Sequence, residues 1–228
     1  MRLILAFAVS FLLHTITPCS SHAGIITIDN LASSTGGNSA VNGPLGPLET
    51  WTAVRFTTGT GTWQLNSLTA RFADQSNGGA GLNPDGLQIE VRSDAGTNPG
   101  GTLLGSLTST TNIGLEANHL FSPTASISLN GLTNYWLVAK PTDTNSLYGW
   151  IITASDTDNG QSGWSLADNL LGTANSGTTW TAPLPVVPIL SIDATLTSAA
   201  VPEPASVAII GLSFLGFSIR RRLRHSAK

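Results

Sequence analysis

Apolar and polar residues alternate along much of this chain with a period of two, which is typical of β-strands that bury one face. The alternation is clearest in residues 87–92 and 190–196. In residues 63–72 it changes parity at Ser67, which predicts a β-bulge or a break in that strand. Shorter patterns predict further strands at 25–29, 51–57, 102–107, 125–129, 135–140 and 148–153.

Turn-forming residues separate these strands. No long segment with the 3.6-residue period of a helix occurs between residues 24 and 197. Many short strands with such punctuation are typical of β-sandwiches and jelly rolls. The sequence therefore predicts an all-β, β-sandwich or jelly-roll-like domain over 24–197. The clusters rich in Gly, Asn, Asp and Pro lie at 36–38, 77–79, 83–86, 98–101 and 158–160.

The N-terminal residues 1–23 have the pattern of a secretory signal peptide. Arg2 supplies the positive charge, and an apolar run follows at 3–13. Ala23 places a small residue before the predicted cleavage site at Gly24. The apolar run is short for a membrane span, although an uncleaved anchor is the alternative. We therefore expect export through the Sec translocon and cleavage by signal peptidase.

The C-terminal end combines a proline motif, an apolar run and a cluster of arginines. Residues 198–204 form a spacer, and the run at 205–219 predicts a single transmembrane helix. A helix of this length spans about 22 Å, whereas the hydrocarbon core is about 30 Å thick, so it is a weak anchor. The basic tail at 220–228 is expected to stay in the cytoplasm, which leaves the body outside. The residues of the motif and of the arginine cluster are Pro202, Glu203, Pro204, Arg220, Arg221 and Arg222.

This tail resembles the PEP-CTERM sorting signal of exported bacterial proteins over residues 201–224. The resemblance implies processing by an exosortase, a transpeptidase-like membrane protease, after transient anchoring in the inner membrane. It also implies a final location at the cell surface or in the extracellular matrix of bacteria that make exopolysaccharide. An ordinary C-terminal membrane anchor is the alternative interpretation of the same residues.

The body has a second, more diffuse resemblance, which covers most of 24–197. It is similar to the choice-of-anchor R type domain of bacterial surface proteins. This resemblance implies an extracellular β-rich module of unassigned activity, and it carries over no catalytic residues. The segments that carry it are 56–59, 65–72, 98–104, 135–138, 148–150 and 163–164.

Charge is distributed unevenly along the chain. The whole sequence has 10 Lys and Arg against 13 Asp and Glu, a net charge of −3. Residues 24–200 contain four basic and twelve acidic residues, a net charge of −8. An acidic body argues against nucleic-acid binding, which requires a basic footprint. The single cysteine, Cys19, is expected to leave with the signal peptide, so the body has neither a disulfide nor a thiolate metal site.

Catalytic chemistry has little support in the sequence. His119 is the only histidine of the body, and its polar surroundings predict an exposed loop. The glutamates are Glu49, Glu90 and Glu116, and Glu90 is predicted to face solvent from the polar side of a strand. No pair can be chosen for glycoside hydrolysis. We therefore expect a protein that is not an enzyme, with a secreted hydrolase as the less favoured alternative.

One segment is a weak candidate for a metal. Asp156 and Asp158 alternate as in a calcium loop, but Gly160 stands at the fifth position rather than the sixth, and the twelfth is Ala167. A polar turn is the simpler interpretation. No cofactor is expected, and calcium is the one candidate ion.

Six tryptophans all lie in the body, and tryptophan faces commonly hold sugars. Trp136 and Trp150 lie on two strands joined by residues 141–147, so they are candidate cross-strand neighbours, although core anchors are the favoured interpretation. Trp164 and Trp180 lie among small polar residues and are predicted in loops. These four are the candidate carbohydrate contacts. The sequence thus predicts an exported, non-enzymatic surface or matrix protein associated with exopolysaccharide, or alternatively a carbohydrate-binding module.

Overall fold

A computed structural model describes residues 24–42, 49–75, 86–111, 113–142, 147–155 and 160–198. These residues form β-strands and connecting segments, with no α-helix among them. The all-β prediction is therefore confirmed for the described part of the chain. The predicted signal peptide, the motif at 202–204, the apolar run at 205–219 and the arginine cluster lie outside the described residues.

Fourteen strands make up this part of the chain. They are β1 (Ile25–Asp29), β2 (Gly37–Asn42), β3 (Trp51–Thr57), β4 (Thr62–Asp74), β5 (Leu87–Ser93), β6 (Leu103–Ser109), β7 (Ala117–Pro123), β8 (Ile127–Leu129), β9 (Asn134–Pro141), β10 (Leu147–Thr153), β11 (Ser165–Leu166), β12 (Leu171–Thr173), β13 (Val187–Pro188) and β14 (Leu190–Ser198).

All fourteen strands belong to one sheet, which curves into a nearly closed, barrel-like shape. Its main path runs β4, β7, β6, β5, β9 and β3, and β10 pairs with both β4 and β2 to return towards β3. Between β2 and β3 the link is made by a side chain, because the Thr52 hydroxyl donates to the Ala40 carbonyl oxygen over 2.9 Å. This single curved sheet differs from the two stacked layers that the sequence predicted.

The long strand β4 is what draws the sheet around. One of its edges pairs with β8 and then β7, and the other pairs with β14 and then β10. The predicted parity change is confirmed, since Leu65 pairs with Ala194 and Ser67 with Asp193, which leaves Asn66 as the extra residue of a bulge. Bulges increase local twist, so β4 can exchange partners at this point.

The inner face of the sheet contains the main hydrophobic core. Inward residues follow the two-residue period, as in β9, where Tyr135, Leu137 and Ala139 are buried. Aromatic contacts fill the centre: Phe72 stacks on Trp150 with ring centroids 5.2 Å apart, and its edge contacts Phe121 at 5.7 Å. Such packing accounts for a core without disulfides in this part of the chain.

Five strands were not predicted from the sequence: the short strands β11, β12 and β13, and also β2 and β7. The glycines at 36–38 predicted a turn, but β2 begins at Gly37 and buries Val41. The segment around His119 was predicted to be a loop, yet it forms β7, in which His119 and Phe121 point inward. In both strands a polar or small residue occupies an inward position, so the hydrophobic alternation is too weak to detect.

The two ends of the described body lie side by side. β1 pairs antiparallel with β14, and Ile25 is opposite Ala194. Gly24 lies so close to the Asp193 carboxylate that an added Cβ would be 2.3 Å from its Oδ1 atom. The predicted cleavage position at Gly24 and the exit towards the C-terminal tail are therefore at the same end of the sheet.

Candidate functional site

Three of the six tryptophans are inside the curved sheet. Trp63, Trp150 and Trp164 are 2%, 0% and 5% exposed. Trp164 lies outside the strands, as predicted, but it is not an open sugar contact, because its ring stacks on Phe56 and packs edge to face with Trp63, with centroids 6.2 and 5.2 Å away. Because its ring faces are covered by other side chains, Trp164 is a core residue.

Trp136 and Trp150 are not cross-strand neighbours. β9, which carries Trp136, pairs with β3 and β5, whereas β10, which carries Trp150, pairs with β2, β4 and β13. Residues 141–147 therefore connect strands that do not pair with each other. Both indoles are fully buried, so the core interpretation holds and neither ring face is open to a ligand.

A second, smaller hydrophobic cluster lies on the opposite, outer face of the sheet. It consists of Ala53, Trp136, Val138 and Leu171, with Trp51 and Trp180 packed against it. We call these six residues the outer cluster. The strand registers explain it, since Leu171, Ala53, Val138 and Glu90 follow one another across β12, β3, β9 and β5. This face therefore combines apolar packing with charged side chains.

Glu90 lies at the β5 side of this face and was predicted to face solvent, but it is only 2% exposed. Arg92 donates from Nε and Nη2 to its Oε2 atom, both over 2.7 Å. The Lys140 ammonium binds the other carboxylate oxygen, Oε1. The two cations cover the carboxylate from solvent, which is why a residue on the polar face is buried. Both oxygens of Glu90 are thus occupied by structural ion pairs.

Trp136 is held at the middle of the outer face by polar contacts. Its indole N–H donates to Asp94 Oδ1 over 2.8 Å. The guanidinium of Arg55 lies 5.9 Å from its ring centroid, and Lys140 lies 5.5 Å from the centroid of the Trp51 ring. Both separations are within the range of cation–π attraction.

Trp180 lies on an irregular hairpin that folds over this face. Leu170 and Leu184 exchange backbone hydrogen bonds, and the Thr181 N–H donates to the Gly172 carbonyl. One arm of the hairpin, β12, also pairs with β3, which fixes the hairpin to the sheet. At its tip Gly177 has φ +79 and contacts the Trp51 ring, so that an added Cβ would be 2.7 Å from Trp51 Cζ3.

The loop that joins the two arms is ordered by Asn175. Its side-chain oxygen accepts from the Thr173 hydroxyl over 2.7 Å and from the Thr179 N–H over 2.9 Å. Its amide nitrogen donates to the Thr179 hydroxyl over 2.7 Å. The polar groups beside Trp180 are therefore positioned by hydrogen bonds within the loop.

A pocket of about 340 Å³ opens beside Trp180. The Thr179 and Thr181 hydroxyls each accept one of the hydrogen bonds that order the hairpin. A hydroxyl can also donate, so both retain a donor for a ligand. One aromatic side chain among several hydroxyls matches the surface of a sugar, which has apolar C–H patches and polar hydroxyls. The pocket is lined by Thr173, Ala174, Asn175, Thr179, Trp180 and Thr181.

The position of Trp180 is thus compatible with its predicted role as a sugar contact. The polar residues that line the pocket beside it were not identified from the sequence. The run from Asn175 to Thr181 contains the necessary residue types. Nothing in the sequence indicates, however, that the run folds back on β12 and forms an open surface pocket. Arg55 was also overlooked, because its position opposite Trp136 depends on the pairing of β3 with β9.

The remaining acidic candidates do not meet in one place. Glu49 accepts from the Trp51 indole N–H over 3.1 Å, and Glu116 accepts from the Thr35 hydroxyl over 3.0 Å. Asp156 and Asp158 lie outside the described residues, so the calcium prediction is untested. Among the described residues, no group of three or more His, Cys, Asp or Glu side chains is arranged to hold a metal ion.

His119 was predicted to be an exposed loop residue, and the structure contradicts this. It is 7% exposed on β7, opposite Ala70 of β4. Its buried Nε2 atom makes no hydrogen bond within the described part of the chain. Burial lowers the pKa of the imidazole below its ordinary value of 6.5, because the charged form loses hydration.

This shift predicts that stability depends on pH. Below pH 6.5 the His119 imidazole binds a proton more readily in the unfolded chain than in the folded chain. The free energy of unfolding therefore decreases as the pH falls. One proton contributes a slope of at most about 1.4 kcal/mol per pH unit. Urea unfolding between pH 7.5 and 5 measures the slope, and His119→Leu is expected to flatten it. An equally steep curve for His119→Leu would show that other groups are responsible.

A comparison with known proteins finds a match at the C-terminal end of the chain, beyond the last strand. Residues 200–222 match the PEP-CTERM protein-sorting motif. The motif supports an exported protein that passes through a membrane-anchored stage and is processed by an exosortase. No curated protein matches the chain. Among the described residues no helix has the length and apolar character needed to cross a membrane, and the segment at 205–219 is not among them.

Proposed function

We propose that this is a non-enzymatic surface or matrix protein that is sorted by its PEP-CTERM tail and associates with exopolysaccharide. The match of the sorting motif to residues 200–222 is the observation that carries the proposal. The predicted signal peptide at the other end and the acidic, disulfide-free body are consistent with export. Signal peptidase and the Sec translocon complete the expected set of processing partners.

The geometry of the body agrees with such a route. Gly24 and the end of β14 lie at the same end of the sheet, so the described body begins and ends on one side. We further propose that the body is an extracellular module of the choice-of-anchor R type, which is an expectation from the sequence alone.

For the molecular activity we propose carbohydrate binding at the Trp180 pocket. Support comes from the contrast among the four predicted sugar contacts: Trp136, Trp150 and Trp164 are buried, whereas Trp180 is half-buried and lines a pocket with hydroxyl groups. The hairpin that carries it is fixed to β3 and ordered internally by Asn175. A preorganised loop binds with a smaller loss of conformational entropy.

The pocket predicts that Trp180→Ala weakens binding to exopolysaccharide. Losing one large apolar contact costs about 1.5–3 kcal/mol, which is about a ten- to hundredfold loss of affinity. Affinity gels that contain exopolysaccharide from the producing cells measure the change. Trp180→Phe keeps an aromatic face and is expected to retain part of the binding. Equal retardation of wild type and Trp180→Ala would show that the pocket does not bind the polysaccharide.

A further inference from the structure

The cations of the acidic body are concentrated on one surface. Residues 24–200 contain only four basic side chains, Arg55, Arg71, Arg92 and Lys140, against twelve acidic ones. Three of the four, on β3, β5 and β9, point to the outer face, where Trp180 packs on the outer cluster. The same face also carries the carboxylates of Glu90 and Asp94, so these three cations make it less negative than the rest of a body whose net charge is −8.

Two of these three cations share a single carboxylate partner. Arg92 and Lys140 both bind the Glu90 carboxylate. Arg55 differs, because its guanidinium has neither a hydrogen-bond nor an ion-pair partner in the part of the chain that the structure describes. Its contact is with the Trp136 ring at 5.9 Å, which leaves the in-plane N–H donors unused.

Asp94 is an anion on this face, and both of its carboxylate oxygens accept other hydrogen bonds. Asp94 accepts from the Trp136 indole through Oδ1 and from the Asn134 amide through Oδ2, over 2.8 and 3.4 Å. Arg55 is half-buried, and removing a charged donor from water without a partner is unfavourable. Its planar fork of donors matches a carboxylate, which it can bind through two parallel hydrogen bonds.

Arg55 is too far from the Trp180 pocket to contact the same sugar ring. Thr173, which lines the pocket, is opposite Trp51, and Arg55 lies four residues further along β3, which is about 13 Å at 3.3 Å per residue. Both sites are on the same face and against the same cluster. A polymer that stacks one sugar on Trp180 can therefore present an acidic group of a neighbouring sugar to Arg55.

We propose that the outer face binds an acidic polysaccharide, with Trp180 holding a sugar ring and Arg55 pairing with the carboxylate of a uronic acid in the same chain. The inference rests on the proposed carbohydrate binding and adds the chemical class of the ligand. An acidic glycan is repelled by the body as a whole, so specific binding requires the unpaired cation at this one place. The affinity is expected to fall as the salt concentration rises.

The test uses the full chain in a polyoxyethylene detergent, which contains no sugar. The probes are polygalacturonate, alginate and hyaluronate, each compared with its methyl-esterified form, which keeps the backbone and loses the charge. Arg55→Gln is the test variant. Arg71→Gln is the matched control, since Arg71 lies on β4, where it binds Asn118 and the Leu31 carbonyl. Thermal unfolding confirms that each variant is folded.

At least one acidic polymer is expected to bind about tenfold more tightly than its ester. Arg55→Gln is expected to remove that difference and leave binding of the ester unchanged, while Arg71→Gln retains it. Equal affinity for acid and ester, no binding of any acidic polymer, or equal effects of the two arginine variants would overturn the acidic class. A different result would contradict the proposed carbohydrate binding at the Trp180 pocket, namely that Trp180→Ala leaves glycan binding intact.

Discussion

Trp164→Ala is expected to lower the free energy of unfolding by about 3–5 kcal/mol, the usual cost of deleting a large aromatic side chain from a core. The indole is 5% exposed and is enclosed by Phe56 and Trp63. Its removal leaves a cavity that the surrounding rings cannot fill without breaking their own contacts. Urea unfolding followed by circular dichroism measures the change.

Trp180→Ala is the matched control, because it removes the same side chain from the outer face. The expected loss of stability is about 1 kcal/mol, since Trp180 is half-buried and packs on a small cluster. The two variants thus have opposite phenotypes, one in stability and the other in glycan binding. A similar loss of stability in both variants would contradict the assignment of Trp164 to the core and Trp180 to a surface site.

Glu90→Gln is expected to cost about 2 kcal/mol of stability. Breaking a buried ion pair costs about 3–5 kcal/mol when the partner charge stays buried, but Arg92 and Lys140 remain partly hydrated here. Their side chains are 25% and 24% exposed, against 3% for Glu90. The neutral amide leaves two like charges facing each other on the outer face, so the variant is destabilised by their repulsion.

Glu116→Gln provides the control for this prediction. Glu116 lies 4.0 Å from Arg71 and its side chain is 43% exposed, so the same substitution is expected to cost less than about 0.5 kcal/mol. High salt is expected to reduce the effect of Glu90→Gln, because it screens the repulsion between Arg92 and Lys140. Equal midpoints of urea unfolding for the two variants would contradict a structural role for the Glu90 ion pairs.

Periodicity succeeded where apolar residues predominate among the buried positions of a strand. The bounds of β1 and β3 match the predicted 25–29 and 51–57, and the bulge beside Ser67 was visible as a change of parity. It failed where the inward positions are mixed, as in β7 with His119 beside Phe121. A period of two shows that a strand has two faces, but it does not show which strands are neighbours.

The residues that form the candidate site depend on which strands are neighbours in the sheet. Glu90 was predicted to be exposed because β5 alternates, and its burial follows from Arg92 on the same strand together with Lys140 on the adjacent β9. Trp164 and Trp180 have similar polar neighbours in sequence, yet one is in the core and the other lines a pocket. Local composition identified the residue types of a sugar site, whereas long-range pairing decided which of them are accessible.

The tail at 200–222 is expected to direct this protein through an exosortase, and the ends of the surface form show whether it does. The full chain is expressed in a bacterium with an active exosortase or with one whose nucleophile is replaced, and the surface fraction is analysed by mass spectrometry. The variant that replaces Pro202, Glu203 and Pro204 by alanine is analysed in parallel. We predict a surface form that begins at Gly24 and lacks residues 205–228, present only with the native motif and active enzyme. An unprocessed tail in the wild type, or equal processing of the variant, would contradict the account.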